Sequence, residues 1–361
     1  MALETVDDRA RDKSLLCRHF GTCGGCKYQD VTAPHYLVLK QEQVVRALER
    51  HGLGDVSVDL PLAVSPATRR RAALKAAKRG SAVAIGFRAA RSHNIVDMQE
   101  CQVLTPALAA SVQALRPVMD GLLREGEEAE LLLTEAENGI DVALNGKRGA
   151  DATLAQWGAR NRVARIAVNG ELAMQSTEPV IRLAGIEVRL PPGAFLQPTR
   201  EGEALLQECV RESMKGAARI TDLFAGLGTF ALALAGAARV HAVDSNASAL
   251  SALQAAARRT AKLKPVTIEH RDLFRQPLQP KELDAFQGVV LDPPRAGALA
   301  QVRALALSGV GRAAYVSCNP ESFARDARIL VEGGFRIRRV APVDQFLWSS
   351  HIELVAHFER R

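Results

Sequence analysis

The sequence predicts an α/β chain in two parts: a C-terminal parallel sheet with helices on both faces, preceded by a smaller α+β unit. Three observations predict it. Past about residue 200, short apolar runs alternate with helix-period segments. Before that point, paired strand-like runs are joined by turn residues. Acidic residues and one cysteine stand just after successive apolar runs, where open α/β sheets bind their ligands. The boundary is placed near residue 180, giving units of 1–180 and 181–361.

The elements follow in order. The chain opens on "MALETVDDRARDKSLL", which has acids and no apolar core, so no secretory leader is expected there. No run approaches the roughly 18 apolar residues of a membrane span. A cytoplasmic protein with reduced cysteines is therefore expected. "CRHFGTCGGCKYQ" comes next, then a helix in "PHYLVLKQEQVVRALERHG" that should stop at Gly52. "SAVAIGFR" reads as a strand. "ELLLTEAENGIDVALNG" reads as two strands turning at Asn138-Gly139. "RVARIAVN" and "VIRLAGIEVRL" add further strand.

In the second part, helix "TREGEALLQECVRESMK" leads to strand "RITDLFAG" and helix "LGTFALALAG". Strand "RVHAVD", helix "NASALSALQAAARRTAK", and strands "VTIEH", "GVVLD" and "AAYVSC" follow, the last three separated by helical segments. "FRIRRVAPV" and "HIELVAHFE", joined without a helix, should close the sheet as an antiparallel pair.

Charge is uneven. Lys and Arg total 47 against 40 Asp and Glu. No acid lies between Asp59 and Asp97, a window that holds Arg69, Arg70, Arg71, Lys75, Lys78 and Arg79. Such a run is either a solvated face or the footprint of a phosphate-backbone binder; RNA is the expected partner.

Three cysteines, Cys17, Cys23 and Cys26, have C-x5-C-x2-C spacing, and Cys101 is the remaining upstream thiol. Four thiolates suit zinc or an iron–sulfur cluster, which spacing does not separate. Cys209 sits in an amphipathic helix and reads as core.

Gly226 and Gly228 lie in the first strand-to-helix loop, together with Thr229, and lack the full G-x-G-x-x-G spacing. Asp244 ends the next strand and suits a ribose diol; Asp272 suits the adenine edge; Asp292 closes the fourth strand. No nucleotide-triphosphate loop is present, so an adenosine-type cofactor is expected. Loop, ribose acid and "DPP" turn resemble class I, Rossmann-like S-adenosylmethionine methyltransferases.

The order of "FLQPT", "LDPPRAGA", "YVSCNPESFARD" and "SSHIELV", with "CRHFGTCGGC" upstream, resembles the RNA 5-methyluridine methyltransferase family, in its iron–sulfur 23S rRNA branch. The resemblance implies that Gln197, Phe224 and Asp244 hold the cofactor. Asp272 and Asp292 would line a joint cofactor and base pocket. Cys318 would be the nucleophile and Glu353 the proton acceptor. It also tips the cysteine set towards [4Fe-4S], and makes 23S rRNA the expected substrate, with tRNA as an alternative. Thr199, Thr229, Asp244 and "FLWSS" depart from the family's usual residues. No TRAM-type RNA-binding module is expected ahead of the cysteines. Burial should raise the Glu353 pKa, and the helix start after Cys318 should lower the thiol's. His351 could orient Glu353 or simply pack; Arg295 is either an anion contact or a surface residue. An exocyclic-amine methyltransferase and a non-catalytic iron–sulfur RNA-binding protein are the competing readings. Arg295 in place of an aromatic after "DPP" disfavours the first.

Overall fold

A computed structural model describes residues 16–146, 149 and 152–360. The acidic start of the chain lies outside them. Helix α1 (Ala33–Arg50) has Pro34 in its first turn, where a fixed φ suits the helix, and ends before Gly52 at φ +70°. It buries Tyr36, Lys40, Val44, Ala47 and Leu48, a single stripe at helical spacing.

Strands β1 (Leu62–Ala63), β2 (Arg71–Arg79) and β3 (Ala82–Gly86) precede helix α2 (Pro106–Leu122), a helix the apolar periodicity of this stretch did not flag in advance. The expected hairpin is β4 (Glu128–Ala136) and β5 (Gly139–Gly146). Gly139 is required there, since a Cβ would lie 2.6 Å from the Arg162 carbonyl. The Asn138 side chain does a second job: it accepts from Val180 N and donates to the Glu178 carbonyl, fastening the turn to the junction of the two parts. Helix α3 (Ala152–Arg160), β6 (Val163–Val168) and β7 (Glu171–Gln175) complete a six-stranded sheet of order β3-β2-β4-β5-β6-β7, with α2 and α3 packed against it. A two-stranded hairpin, β8 (Val180–Leu183) and β9 (Ile186–Arg189), follows.

The second part runs α4 (Arg200–Ser213), β10 (Arg219–Leu223), α5 (Thr229–Leu234), β11 (Arg239–Asp244), α6 (Ala247–Arg259), β12 (Val266–His270), α7 (Pro280–Leu283), β13 (Gly288–Leu291), α8 (Leu299–Ala306), β14 (Arg312–Ser317), α9 (Pro320–Glu332), β15 (Phe335–Asp344) and β16 (Glu353–Arg360). The eight-stranded sheet has order β1-β15-β16-β14-β13-β10-β11-β12. β16 is antiparallel to both its neighbours, as expected for the closing pair. The chain leaves β10 towards β11 on one side and later returns to β13 on the other. That reversal opens a crevice at the carboxyl ends of the strands. Two apolar clusters cover the two faces of this sheet.

Strands β2 to β7 and strands β10 to β16 form separate sheets, but the N-terminal segment joins the second. Val44, Ala47 and Leu48 of α1 belong to the apolar cluster under α8 and α9, and β1 pairs with β15. A buried ion pair fastens α1: Lys40 Nζ donates to Asp344 Oδ1 at 2.8 Å and also to the His351 carbonyl, and the Tyr36 hydroxyl donates to the other Asp344 oxygen. Lys40 and Asp344 are both fully buried, so each is the other's means of staying charged. The helix thus pins both ends of the 345–352 loop that joins β15 to β16.

Candidate active site

The site is assembled from strand ends. After β10 the chain turns through Phe224 at φ +64°, Gly226 at +53° and Gly228 at +88°. Gly228 also admits the close approach of α6, since a Cβ there would lie 2.3 Å from Leu253 Cδ1. Asp244, ending β11, accepts from Gly226 N at 2.8 Å and from Asn246 N at 2.7 Å. It braces the glycine loop while keeping lone pairs for a ligand. Asp272 caps its own turn, accepting from Phe274 N at 2.9 Å. Thr229 opens α5, and its carbonyl accepts from Gln207 Nε2.

Cys318 follows β14, and Asn319 and Pro320 start α9, the Asn side chain accepting from Glu321 N. Because β16 runs antiparallel, its start meets the end of β14: Ser317, the last residue of β14, pairs with Leu354, the second of β16. The register therefore sets Glu353 beside Cys318, from residues 35 positions apart in sequence. Gln197, Phe224, Gly226, Thr229, Asp244, Asp272, Asp292, Cys318 and Glu353 all line one cavity of about 470 Å³. That size suits a small-molecule ligand. Phe195 and Phe274 line it too, each more than half exposed.

The electrostatics fit in part. Burial and Asp292 push the Glu353 carboxyl up to about 8, as expected of a base. Burial and Asp244 push Asp292 up to about 7. The thiol behaves oppositely to expectation: burial, Glu353 and Asp292 push Cys318 up to about 11, and Arg295 only partly offsets them. The helix start loses because desolvation of the sulfur is the largest effect, and the two carboxyl groups add to it.

A second cavity of about 360 Å³ shares Cys318, Arg295 and Phe346 with the first and extends to Gly24, Gly25, Arg69 and His351. Cys318 thus lies where the two cavities meet. Among the described contacts His351 makes no hydrogen bond to Glu353; its ring packs against Phe346 at 5.9 Å, and its backbone N–H donates to Ser349 Oγ.

Several residues that the sequence did not single out complete the site. Asp222, fully buried under the glycine loop, accepts from Ala231 N and leaves Oδ1 without a partner. Burial, Asp292 and Asp244 raise its pKa well above the usual carboxylate range. Gln345 Nε2 donates to Gln197 Oε1 at 2.7 Å and to Glu353 Oε2 at 3.2 Å. Thr199 caps α4 by accepting from Gly202 N.

The basic run lies mostly on β2 and is largely neutralised by acids elsewhere in the sequence. Arg70 is corrected outright: it is fully buried, donates to Glu203 Oε2 at 2.6 Å and to the Gln197 carbonyl, and fastens β2 to the segment before α4 rather than facing RNA. Arg71 stacks over Phe195 at 5.6 Å. Lys75 pairs with Glu130, Lys78 with Asp120 at 3.3 Å, and Arg79 with Glu128 at 3.8 Å. Arg69 alone of the set reaches the second cavity.

Cys17, Cys23, Cys26 and Cys101 line one further cavity. Burial and neighbouring thiols push Cys26 up to about 12. Among the described residues no group of three or more His, Cys, Asp or Glu closes around one point where a metal ion could sit. Nor is any described helix long and apolar enough to cross a membrane.

Comparison with known proteins agrees with this geometry. The profile of the tRNA (uracil-5-)-methyltransferase family matches residues 156–361. An uncharacterized RNA methyltransferase of Rhizobium meliloti is 41% identical over 95% of this chain and 85% of its own length. The 23S rRNA (uracil(1939)-C(5))-methyltransferase RlmD of Pseudomonas savastanoi is 32% identical over 96% of this chain and 80% of its own. The crystal structure of the Pyrococcus abyssi tRNA (uracil-54, C5)-methyltransferase with S-adenosyl-L-homocysteine superposes with a TM-score of 0.74, covering 92% of this chain and 85% of that one, at 24% identity. The chain belongs to the tRNA (uracil-5-)-methyltransferase family, RNA-modifying enzymes that use S-adenosylmethionine.

Proposed function

We propose that this enzyme methylates carbon 5 of a uridine in 23S rRNA, with Cys318 as nucleophile and Glu353 as base. The observation that carries the reading is that Cys318 stands at the junction of two cavities with Glu353 beside it. The larger cavity takes the cofactor, with Asp244 on the ribose and Gln197, Phe224, Gly226, Thr229 and Asp272 around it. When bound, S-adenosylmethionine supplies a methyl group on a sulfonium centre. The second cavity takes the target base.

The Cys318 thiolate adds to carbon 6 of uracil, and the ring's double-bond electrons move towards O4. Carbon 5 becomes enolate-like and open to methylation. Glu353 then accepts the proton of carbon 5, the double bond re-forms, and the carbon–sulfur bond breaks to release the thiolate. Covalent addition divides one hard step into easier ones. The thiol proton must leave first; Asp292, whose pKa is raised to about 7, can hold it and leave Glu353 ionised for carbon 5. Arg295, exposed between the cavities, favours the anion.

RNA specificity rests on the N-terminal unit and on the 32% identity to a 23S rRNA enzyme. Arg69, which reaches the second cavity, is the first cation offered to phosphates; Lys75, Lys78, Arg79 and, behind Phe195, Arg71 would serve by giving up their present partners. The division into an RNA-binding unit, 1–180, and a catalytic unit, 181–361, is part of this reading, with α1 packed on the second. Mapping 5-methyluridine in 23S rRNA by mass spectrometry, from cells with and without the protein, tests it. One site should lose its methyl group; an unchanged rRNA with a lost tRNA methyl group would overturn the substrate.

The four-thiol cavity fits an iron–sulfur cluster by donor chemistry. Zinc needs its sulfurs gathered about 2.3 Å from one ion. A cubane instead offers a separate iron to each of four thiolates. Cys17, Cys23, Cys26 and Cys101 would hold it, and Gly24 and Gly25 between them form part of the second cavity. An anaerobic preparation is expected to carry about four iron and four sulfide per chain. A fully active, iron-free, zinc-loaded preparation would contradict this.

A further inference from the structure

We propose that Gln345 is a positioning residue for the base: its side-chain amide holds the Glu353 carboxylate ionised and oriented, and ties it to Gln197. The proposal rests on the reading of Glu353 as proton acceptor. Gln345 is 1% exposed and directly follows β15. Its Nε2 reaches both Gln197 Oε1, at 2.7 Å, and Glu353 Oε2, at 3.2 Å. Gln197 and Glu353 line the cofactor cavity, whereas Gln345 itself lines the cysteine cavity. The residue is thus the partition between them, and its amide nitrogen is the one side-chain donor that Glu353 has within the protein's described contacts.

The need for such a donor is electrostatic. Glu353 faces Asp292 from β13 and Cys318 from β14, both of which oppose its ionisation or are opposed by it. Asp244 adds to the strain on Asp292. Arg295 acts on the thiol. A neutral amide N–H favours the charged carboxylate without adding a charge of its own. Two features hold it in place. Gly202 lies against the side chain, where a Cβ would approach Gln345 Cβ at 2.6 Å, and Lys40 and Tyr36 grip the preceding Asp344. Gln345 Oε1 is buried without a partner. A turn of the amide would present that oxygen to Glu353 once the carboxyl carries a proton. The same side chain can therefore serve the base before and after proton transfer.

The experiment uses the full-length enzyme, saturating S-adenosylmethionine and an RNA transcript with uridine tritiated at carbon 5. Tritium release is followed against pH for wild type, Gln345→Met, which keeps the volume without the amide, and Gln345→Glu, which keeps the shape but sets a second carboxyl against Glu353. Release depends on ionised Glu353, so it falls on the acid side of a midpoint. In Gln345→Met that midpoint should move up by about one unit, lowering release about tenfold at neutral pH and recovering to within about threefold in alkali. Gln345→Glu should move it in the same direction, and carries the test should the methionine variant not fold. Adduct formation with RNA containing 5-fluorouridine precedes the base step and should stay within about threefold of wild type. A uniform loss of release with the midpoint unmoved, or loss of the adduct in both variants, overturns the proposal. Absence of an adduct in the wild type would instead overturn the assignment of the reaction itself.

Discussion

Replacing Cys318 with alanine is expected to lower methyl transfer by at least about 10⁴-fold, the scale on which removal of a covalent nucleophile acts. The fold should survive. Cys318 is half-buried between two cavities and belongs to none of the apolar clusters of the core. The variant should still bind the cofactor, because Asp244, Gln197 and the glycine loop are untouched. The result to look for is binding without turnover, measured by calorimetric titration with S-adenosylhomocysteine beside a methylation assay. An enzyme relying on amine methylation would keep its rate. Alanine at Cys209 is the contrasting case: that thiol is buried in the core behind α4, and its loss should affect stability and leave the chemistry alone.

Glu353→Gln should lower turnover by about 10²- to 10⁴-fold, the usual worth of a placed general base. Its signature differs from that of Cys318→Ala. Addition and methylation precede proton removal, so the methylated adduct should accumulate as a protein–RNA species stable to denaturing gels. The pH dependence follows in sign. A carboxyl with its midpoint near 8 is mostly protonated at neutral pH and loses its proton as pH rises. Only the ionised form accepts the carbon-5 proton. Wild-type turnover should therefore climb between about pH 6 and 8, and the climb should vanish in Glu353→Gln. The thiol contributes in the same direction, since burial and the two carboxyl groups keep it protonated in the RNA-free enzyme.

Much of this site was legible because strand ends announce themselves. Asp244, Asp292 and Cys318 each follow an apolar run, and a parallel sheet brings such positions to one edge. The antiparallel closing pair was readable from its short connection, and it is what returns Glu353 to the same edge. The pairing of the basic run was hidden for a physical reason. Its acids are not nearby in sequence but are supplied by other elements: Glu130 and Glu128 from the neighbouring strand β4, Asp120 from α2, and Glu203 from α4. Arg70 in particular reads as a surface cation in one dimension and as a buried structural clasp in three.

The thiol's upward shift was equally hidden. It depends on which carboxyl groups share a cavity with the sulfur, whereas the helix start is visible from Asn319 and Pro320. Gln345 and the Tyr36–Lys40–Asp344 clasp rest on contacts between residues hundreds of positions apart or across a loop, with no local spacing to betray them. Lys40 is the clearest example. It occupies an apolar stripe of α1 where helical periodicity calls for a hydrophobe, and only the buried Asp344 explains it.

The central claim is that the Cys318 sulfur bonds to uracil carbon 6 during turnover. It is tested most directly by incubating enzyme and S-adenosylmethionine with RNA carrying 5-fluorouridine, then digesting and sequencing the RNA-linked peptide by mass spectrometry. Fluorine leaves no proton for Glu353 to remove, so the adduct cannot resolve. The account predicts a single modified peptide, with a methylated fluorouridine on Cys318. A linkage to any other residue, or full methylation of ordinary RNA with no trapped species, would contradict it.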